Sequence, residues 1–154
     1  AGKEGDGYSP DSVASVLKRF FFELPNPLID FECFNLMLDA HGELSENAEK
    51  FDTRLIEIVT KMDRVHLYPF VVMSHFLNRV ATYSETNMMP ISNLAVCFGP
   101  TLCRTEEIKP MVMVEQLDRK IVEKLLTLYP RWSDALSQEV KDDLKPYLDE
   151  IKDK

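Results

Sequence analysis

The sequence has little cysteine and a shortage of positive charge, and each shortage limits what the protein can be. Its three cysteines, Cys33, Cys97 and Cys103, form no C-x-x-C pair and lie in apolar stretches, which favours buried thiols in a reducing compartment. The formal net charge of -8 argues against nucleic acid or an anionic membrane as the main partner, because both bind basic surfaces. A signal peptide and an apolar run of about 18 residues are both missing, so we predict a cytoplasmic location without membrane insertion.

The sequence also lacks the common catalytic motifs. It contains no glycine-rich phosphate loop, no G-x-S-x-G and no His-Glu-x-x-His. His66 and His75 are interpreted as structural, and the paired carboxylates Glu106 and Glu107 lie in a hydrophilic context typical of a solvated surface. We therefore expect no cofactor, no metal and no active site complete within this chain.

Strand signals are missing as well, whereas helical periodicity runs through the chain. No segment alternates apolar and polar residues for long, and no Asn-Gly or Asp-Gly hairpin turn occurs. Apolar residues recur instead at steps of three and four, the spacing of an amphipathic helix. With 45% hydrophobic content, 154 residues can bury a core of their own. The sequence predicts one all-α bundle of six to seven helices.

Cap residues and prolines indicate where the helices begin and end. Ser9 and Pro10 are typical of a first helical turn, and Ser45 and Ser133 are expected to begin later helices. The glycine of His41-Gly42 is expected to end the second helix. The helices are predicted at about 10–24, 30–42, 45–62, 67–81, 90–98, 111–128 and 133–151. Residues expected to face the core include Val13, Val16, Leu17, Phe20, Phe21, Leu24, Phe76, Val114, Leu136, Val140, Leu144, Leu148 and Ile151.

The stretch from Asn87 to Arg104 carries the most specific pattern. Pro90 fits the first turn of a short helix, and Gly99-Pro100 is expected to stop it, because proline cannot continue the hydrogen-bond ladder. The apolar side of this helix consists of Ile91, Leu94, Ala95 and Phe98. The amide of Asn93 can make up to four hydrogen bonds. It is interpreted either as a satisfied core amide that caps a neighbouring turn or as part of a contact surface.

Two blocks of sequence resemble a known family. Residues 87–102 read Asn-x-Met-x-x-x-Asn-Leu-Ala-x-x-Phe-Gly-Pro-x-Leu, which resembles the signature near the end of the Rho GTPase-activating (RhoGAP) domain. Residues 17–28 are similar to the family block Leu-Lys-x-Phe-x-Arg-Glu-Leu-Pro-Glu-Pro-Leu. The resemblance covers roughly 8–132, the middle and end of such a domain but not its beginning. It leaves a flexible lead-in, 1–7, and an amphipathic helical tail, 133–154.

The resemblance implies a RhoGAP-like helical fold and a Rho/Rac-type small GTPase as partner. It places Lys18 and Asn93 on the GTPase-facing surface, together with Pro100 of the signature. It also implies arginine where this chain has Phe22, so that contact is lost or becomes apolar. Phe22 either packs under another segment or contributes to the contact surface. Arg104 is interpreted either as a surface ion-pair partner or as part of the contact rim.

RhoGAP domains accelerate GTP hydrolysis with an inserted arginine that contributes roughly 10³–10⁵ in rate. In the family this arginine lies in a Gly-x-(Phe/Tyr)-Arg-x-x-Gly loop upstream, whereas no arginine precedes Val13 in this sequence. The resemblance thus implies a GTPase-binding module that stimulates hydrolysis only if an arginine is supplied from elsewhere, which leaves open whether the chain acts as an enzyme. The alternative is an inactive helical interaction or scaffold domain. Absence of the first helices would uncover apolar surface, which predicts a homo-oligomer, a domain swap or a tail folded into the gap.

Overall fold

A computed structural model describes residues 9–152, and all the regular structure in that range is helical. The all-α class is therefore confirmed, while the predicted lead-in 1–7 lies outside the described residues. Within that range, seven long helices match the predicted number, and three short helices of four to six residues were not anticipated. The helices are α1 (Pro10–Phe22), α2 (Phe31–Leu44), α3 (Ala48–Thr60), α4 (Arg64–Ala81), α5 (Ser84–Asn87), α6 (Ile91–Leu102), α7 (Pro110–Glu115), α8 (Leu117–Thr127), α9 (Tyr129–Asp134) and α10 (Gln138–Lys152).

Side-chain caps begin several helices, although not always at the residue that the sequence indicated. The hydroxyl of Ser9 accepts a hydrogen bond from the amide of Ser12, as predicted for α1. The predicted start at Ser45 is wrong, because α2 continues through Gly42 to Leu44 and Asn47 caps α3 instead. A glycine weakens a helix interior by about 1 kcal/mol but does not end it when neighbouring side chains are packed.

The start predicted for the last helix is also wrong. The short helix α9 follows α8 directly, and Pro130 occupies its first turn, where a missing N–H costs little. Ser133 therefore lies inside α9, and its hydroxyl donates to the carbonyl of Pro130. Ser137 takes the capping role for α10, with its hydroxyl 3.4 Å from the amide nitrogen of Val140.

The centre of the core is an aromatic stack between α4 and α9. Trp132 is fully buried, and its ring lies parallel to that of Phe70 with 5.3 Å between the ring centroids. The indole N–H donates to the carbonyl of Leu125 at 2.8 Å, so the single polar group of this side chain is satisfied. This stack fixes α4 and α9 against the end of α8.

Helix α6 packs closely against α8, and it continues past the point where the sequence predicted its end. Gly99 and Pro100 both lie inside α6, which ends at Leu102. A β-carbon at Gly99 would lie 2.9 Å from the Cα of Arg119, so this glycine permits the close approach of α8 rather than capping the helix. The proline is tolerated because the last turn is fixed by packing. Leu102 is fully buried and its carbonyl accepts from the amide of Ile29.

The tail predicted at 133–154 packs back onto the domain as α10. Leu136, Val140 and Leu144 are buried, and α10 contacts α4. Two polar links join these helices, since Arg64 pairs with Glu139 and the hydroxyl of Tyr68 donates to the carboxylate of Asp143. Helix α10 of the tail therefore covers part of α4.

The apolar side of α1 is mostly uncovered, contrary to the predicted inward orientation. Val13, Val16 and Phe20 are exposed, while Phe21 is buried and Leu17 half-buried. The three exposed residues, together with Ser12 and Leu17, line a cavity of about 570 Å³. Helical spacing identifies which residues share a side but not whether another element covers it.

Two further core assignments are wrong for related reasons. Phe76 on α4 is substantially exposed, since α10 covers only part of that helix. Val114 is exposed because the predicted helix 111–128 is divided into α7 and α8 at Gln116, a non-glycine residue with φ 54°. Within residues 9–152, no helix combines the length and the apolar character needed to cross a bilayer.

Candidate functional site

The two blocks of sequence that carry the resemblance fold into neighbouring helices, α1 and α6. Leu94, Ala95 and Phe98 of α6 face the core, as their spacing predicts. On the other side of α6, Asn93, Cys97 and Pro100 follow one another at steps of four and three, so they share one face. Asn93 and Cys97 are exposed and Pro100 is half-buried. We call this row the α6 stripe.

Asn93 combines parts of both interpretations offered by the sequence. Its side-chain NH₂ donates to the carbonyl of Met88 at 3.0 Å, and Met88 occupies the left-handed region with φ 60°. The amide thus stabilises the turn between α5 and α6, as expected of a capping asparagine. It is exposed rather than part of the core, because it lies on the side of α6 opposite Leu94 and Phe98. Asn93 is therefore both a structural and an accessible residue.

Lys18 and Phe22 lie one turn apart on α1. Lys18 is half-buried, whereas Phe22 is 57% exposed. Phe22 is not buried under another segment of the described chain, but one side of its ring is partly covered by Arg104. The guanidinium carbon of Arg104 lies 5.8 Å from the centroid of that ring, within the range of a cation–π contact.

Arg104 has a structural role that neither interpretation of the sequence anticipated. Its Nη1 donates to the carbonyl of Phe22 at 3.1 Å and its Nη2 donates to the carbonyl of Leu24. Carbonyls at the end of a helix have no partner within the helix, so this guanidinium caps α1. No carboxylate among residues 9–152 forms an ion pair with Arg104. About 80 residues separate the partners, and no local sequence signal could have indicated the contact.

Three of the five predicted site residues line one small groove. Phe22, Pro100 and Arg104 border a cavity of about 230 Å³ between the end of α1, the end of α6 and α7. The remaining lining residues are Cys103, Thr105, Ile108, Lys109, Val112, Met113 and Asp118. Lys18 lies one turn from this groove along α1. Asn93 is at the far end of the α6 stripe, roughly 10 Å from Pro100 by helical rise.

The three thiols differ in accessibility, which corrects the expectation that all are buried. Cys97 is exposed on the α6 stripe, whereas Cys103 is fully buried. Burial raises the pKa of the Cys103 thiol well above its usual value. Desolvation, reinforced by the neighbouring Asp30 carboxylate, raises the pKa of the half-buried Cys33 thiol to about 12. Cys97 is thus the thiol of this surface that a reagent can reach, and its position was missed because the surrounding sequence is apolar.

The histidines take part in structural contacts, as predicted. The Nδ1 of His66 lies 3.0 Å from the carbonyl of Leu28, and the Nδ1 of His75 lies 2.7 Å from the hydroxyl of Tyr129. Burial raises the pKa of Tyr129 to about 12. Across residues 9–152, no group of three or more histidine, cysteine or acidic side chains is arranged to hold a metal ion.

Comparisons with known proteins agree with the resemblance of the two sequence blocks. A family model for the RhoGAP domain matches residues 2–107. SLIT-ROBO Rho GTPase-activating protein 1 of Homo sapiens is 35% identical over 126 residues, which cover 78% of this chain and 11% of that protein. Rho GTPase-activating protein 4 of Homo sapiens is 35% identical over 116 residues, covering 75% of this chain and 12% of that protein. Unconventional myosin-IXAa of Danio rerio is 30% identical over 115 residues, which cover 74% of this chain and 4% of that protein. The chain therefore spans about a tenth of the length of the first two of these relatives.

Proposed function

This chain belongs to the RhoGAP domain family, and from that premise we propose that it binds a Rho/Rac-type small GTPase through the surface shared by α1 and α6. The proposed GTPase-contact surface consists of Lys18, Phe22, Asn93, Pro100 and Arg104. One observation carries the proposal: the two family-like blocks, far apart in sequence, pack together as α1 and α6. The names of two of the relatives support the choice of partner, since they describe Rho GTPase-activating proteins.

The proposed surface offers chemistry suited to a protein partner. Lys18 provides a cation, Asn93 an accessible amide, and Phe22 with Pro100 an apolar centre. Aromatic side chains and arginine are enriched at protein interfaces, and a half-exposed phenylalanine can be buried there. The net charge of -8 makes a local cationic group important, because the rest of the molecule would repel an acidic partner.

We further propose that this chain binds and orients the GTPase but accelerates hydrolysis only when an arginine is supplied from elsewhere. The guanidinium of Arg104 already donates to two carbonyls at the end of α1, so reaching a nucleotide would break both bonds. Arg19 on α1 pairs with Glu23 one turn later. An arginine finger contributes roughly 10³–10⁵ in rate, so its presence or absence has a large kinetic effect.

Binding and single-turnover hydrolysis test these two parts separately. A panel of Rho-family GTPases is loaded with a non-hydrolysable GTP analogue for binding and with GTP for hydrolysis, each with and without this chain. We expect measurable binding to at least one GTPase and no more than a few-fold acceleration. Acceleration approaching 10³-fold would contradict the binding-only proposal, and the absence of binding across the panel would contradict the partner assignment.

A charge reversal and a chemical modification test the location of the surface. Lys18→Glu should weaken GTPase binding at least tenfold. The control is Lys61→Glu, which replaces an exposed lysine at the end of α3, causes the same change in net charge and should have little effect. Alkylation of Cys97 with a bulky maleimide should block binding, because the adduct would project from the α6 stripe. Equal effects of the two lysine changes would indicate general electrostatics and argue against a surface at α1.

A second candidate function is a non-activating scaffold that associates through α1. The uncovered side of α1, with Val13, Val16 and Phe20, favours this candidate. It predicts a homo-oligomer or a domain-swapped dimer whose mass in light scattering falls to that of a monomer after Val16→Glu. A monomer at all concentrations would exclude self-association and leave GTPase binding as the remaining candidate.

A further inference from the structure

An unusual run of exposed apolar side chains follows the α6 stripe in the chain. Within seven residues, Ile108 is 83% exposed, Met111 66%, Met113 69% and Val114 81%. Single exposed apolar residues are ordinary, but a contiguous group indicates a surface that contacts another molecule. We refer to residues 108–114 as the apolar segment.

The apolar segment is fixed in place although its large side chains are exposed. Lys109 donates from Nζ to the side-chain oxygen of Asn35 on α2 at 3.1 Å. Val112 is half-buried and packs against the core. Pro110 begins α7, and α7 contacts α8. The segment is therefore held by its own contacts and does not need its exposed residues for packing.

A backbone feature keeps Val114 away from the core. Gln116 adopts φ 54°, a left-handed conformation that is unfavourable for a residue with a side chain. Without this break, α7 and α8 would form one helix, and Val114 would lie in line with Leu117 and Ile121 of the core. The chain thus accepts backbone strain and leaves Val114 exposed. Non-glycine residues in the left-handed region cluster at functional sites, which directs attention to this surface.

The groove of about 230 Å³ connects the apolar segment to the proposed GTPase-contact surface. Phe22, Pro100 and Arg104 line one part of it, and Ile108 and Met113 line another. A standard protein interface covers about 800 Å² of each partner, which corresponds to a disc of roughly 16 Å radius. Side chains that line one such small groove lie well within that radius. A protein seated on Phe22 and Pro100 would therefore also cover Ile108 and Met113.

We propose that the apolar segment is a second contact element for the small GTPase, with Ile108 and Met113 as its principal contact residues. This inference rests on the proposed function, because the partner is the one assigned to the α1–α6 surface. The occupant is expected to present an apolar patch toward the segment and acidic groups toward Arg104 and Lys109. Methionine side chains adapt to differently shaped apolar surfaces, which suits a module that meets closely related GTPases.

The test is the affinity of the double variant Ile108→Ser, Met113→Ser for the GTP-analogue-loaded GTPase that binds best in the panel. We expect at least tenfold weaker binding, with an unchanged thermal midpoint because both side chains are exposed. Met113→Leu should retain most of the affinity. The matched control is Val65→Ser at the start of α4, where an apolar side chain is 77% exposed outside the groove.

Comparison with Lys18→Glu separates failure of this inference from failure of the proposed function. If Lys18→Glu weakens binding and the double variant does not, the apolar segment is not a contact element and the α1–α6 surface stands. If Val65→Ser weakens binding as much as the double variant, the effect is not specific to the segment and the inference is wrong. If the unmodified chain binds no GTPase in the panel, the proposed function fails and this inference fails with it.

Discussion

The first and last helices of the described chain, α1 and α10, have similar sequence patterns and opposite environments. Both are amphipathic, with apolar residues at steps of three and four. In α10, Val140 and Leu144 are buried against the bundle, whereas Val16 and Phe20 of α1 are exposed. The comparison shows that periodicity determines the face of a helix, while the neighbouring elements determine whether that face is covered.

The difference in burial arises from the elements that each helix contacts. Helix α10 contacts α4, and two polar links reinforce the contact. Arg64 forms a bidentate pair with Glu139 at 3.0 and 2.8 Å, and Tyr68 donates to Asp143 at 2.6 Å. Helix α1 instead contacts α6, and only Phe21 and the half-buried Leu17 of its apolar side join the core. The buried edge of α1 positions the proposed site, and the exposed side is available for association.

The largest expected effect comes from truncating the covered apolar side. Leu144→Ala removes a buried side chain and leaves a cavity, so it should lower the free energy of unfolding by about 2–5 kcal/mol in urea titrations. Val16→Ala on α1 is the counterpart and should change it by less than about 0.5 kcal/mol, because the side chain is already exposed. A comparable loss from Val16→Ala would break the comparison by showing that the α1 face is covered in solution.

A pair of glycines extends the comparison to helix interiors. Gly99→Ala should destabilise the fold by about 1–3 kcal/mol, because the new methyl group would lie 2.9 Å from the Cα of Arg119. A methyl group added at Gly42 would meet nothing within 4 Å, so Gly42→Ala should stabilise α2 by about 0.5–1 kcal/mol. Thermal melts measure both. A neutral Gly99→Ala would mean that α6 and α8 can separate without loss.

The smallest expected effect concerns a polar link of α10. The Tyr68 hydroxyl donates to Asp143, and this hydrogen bond raises the pKa of Tyr68 above its usual value of 10. The neutral phenol therefore stabilises the folded state below about pH 10, and the contribution is lost as pH rises through the raised pKa. Tyr68→Phe should cause a small decrease in the urea midpoint at neutral pH and none in strongly alkaline solution. A decrease that grows with pH would have the wrong sign for this link.

Much of the fold could be predicted because local signals and packing agree. Ser9 and the apolar spacing of α3 and α6 place helices close to where they occur. The errors arise where tertiary packing or an unanticipated backbone conformation overrides a local signal. Pro100 lies inside a helix whose last turn is fixed by Leu102, and the left-handed residue Gln116 divides a pattern that reads as continuous.

The proposed site was predictable in part for the same reason. Lys18 and Asn93 stand in sequence patterns that identify the family, so they could be selected without a structure. The groove could not be anticipated, because it depends on Arg104 reaching carbonyls of residues 22 and 24 across about 80 positions. The exposure of Cys97 likewise depends on which side of α6 the bundle covers.

The buried stack of Trp132 on Phe70 also gives the molecule a built-in optical reporter. The chain has a single tryptophan, so all its indole fluorescence originates from the centre of the core. Emission from the native state should be blue-shifted and insensitive to iodide, and both properties should change together when α9 leaves α4. Core integrity can thus be followed in every surface variant without attaching a label.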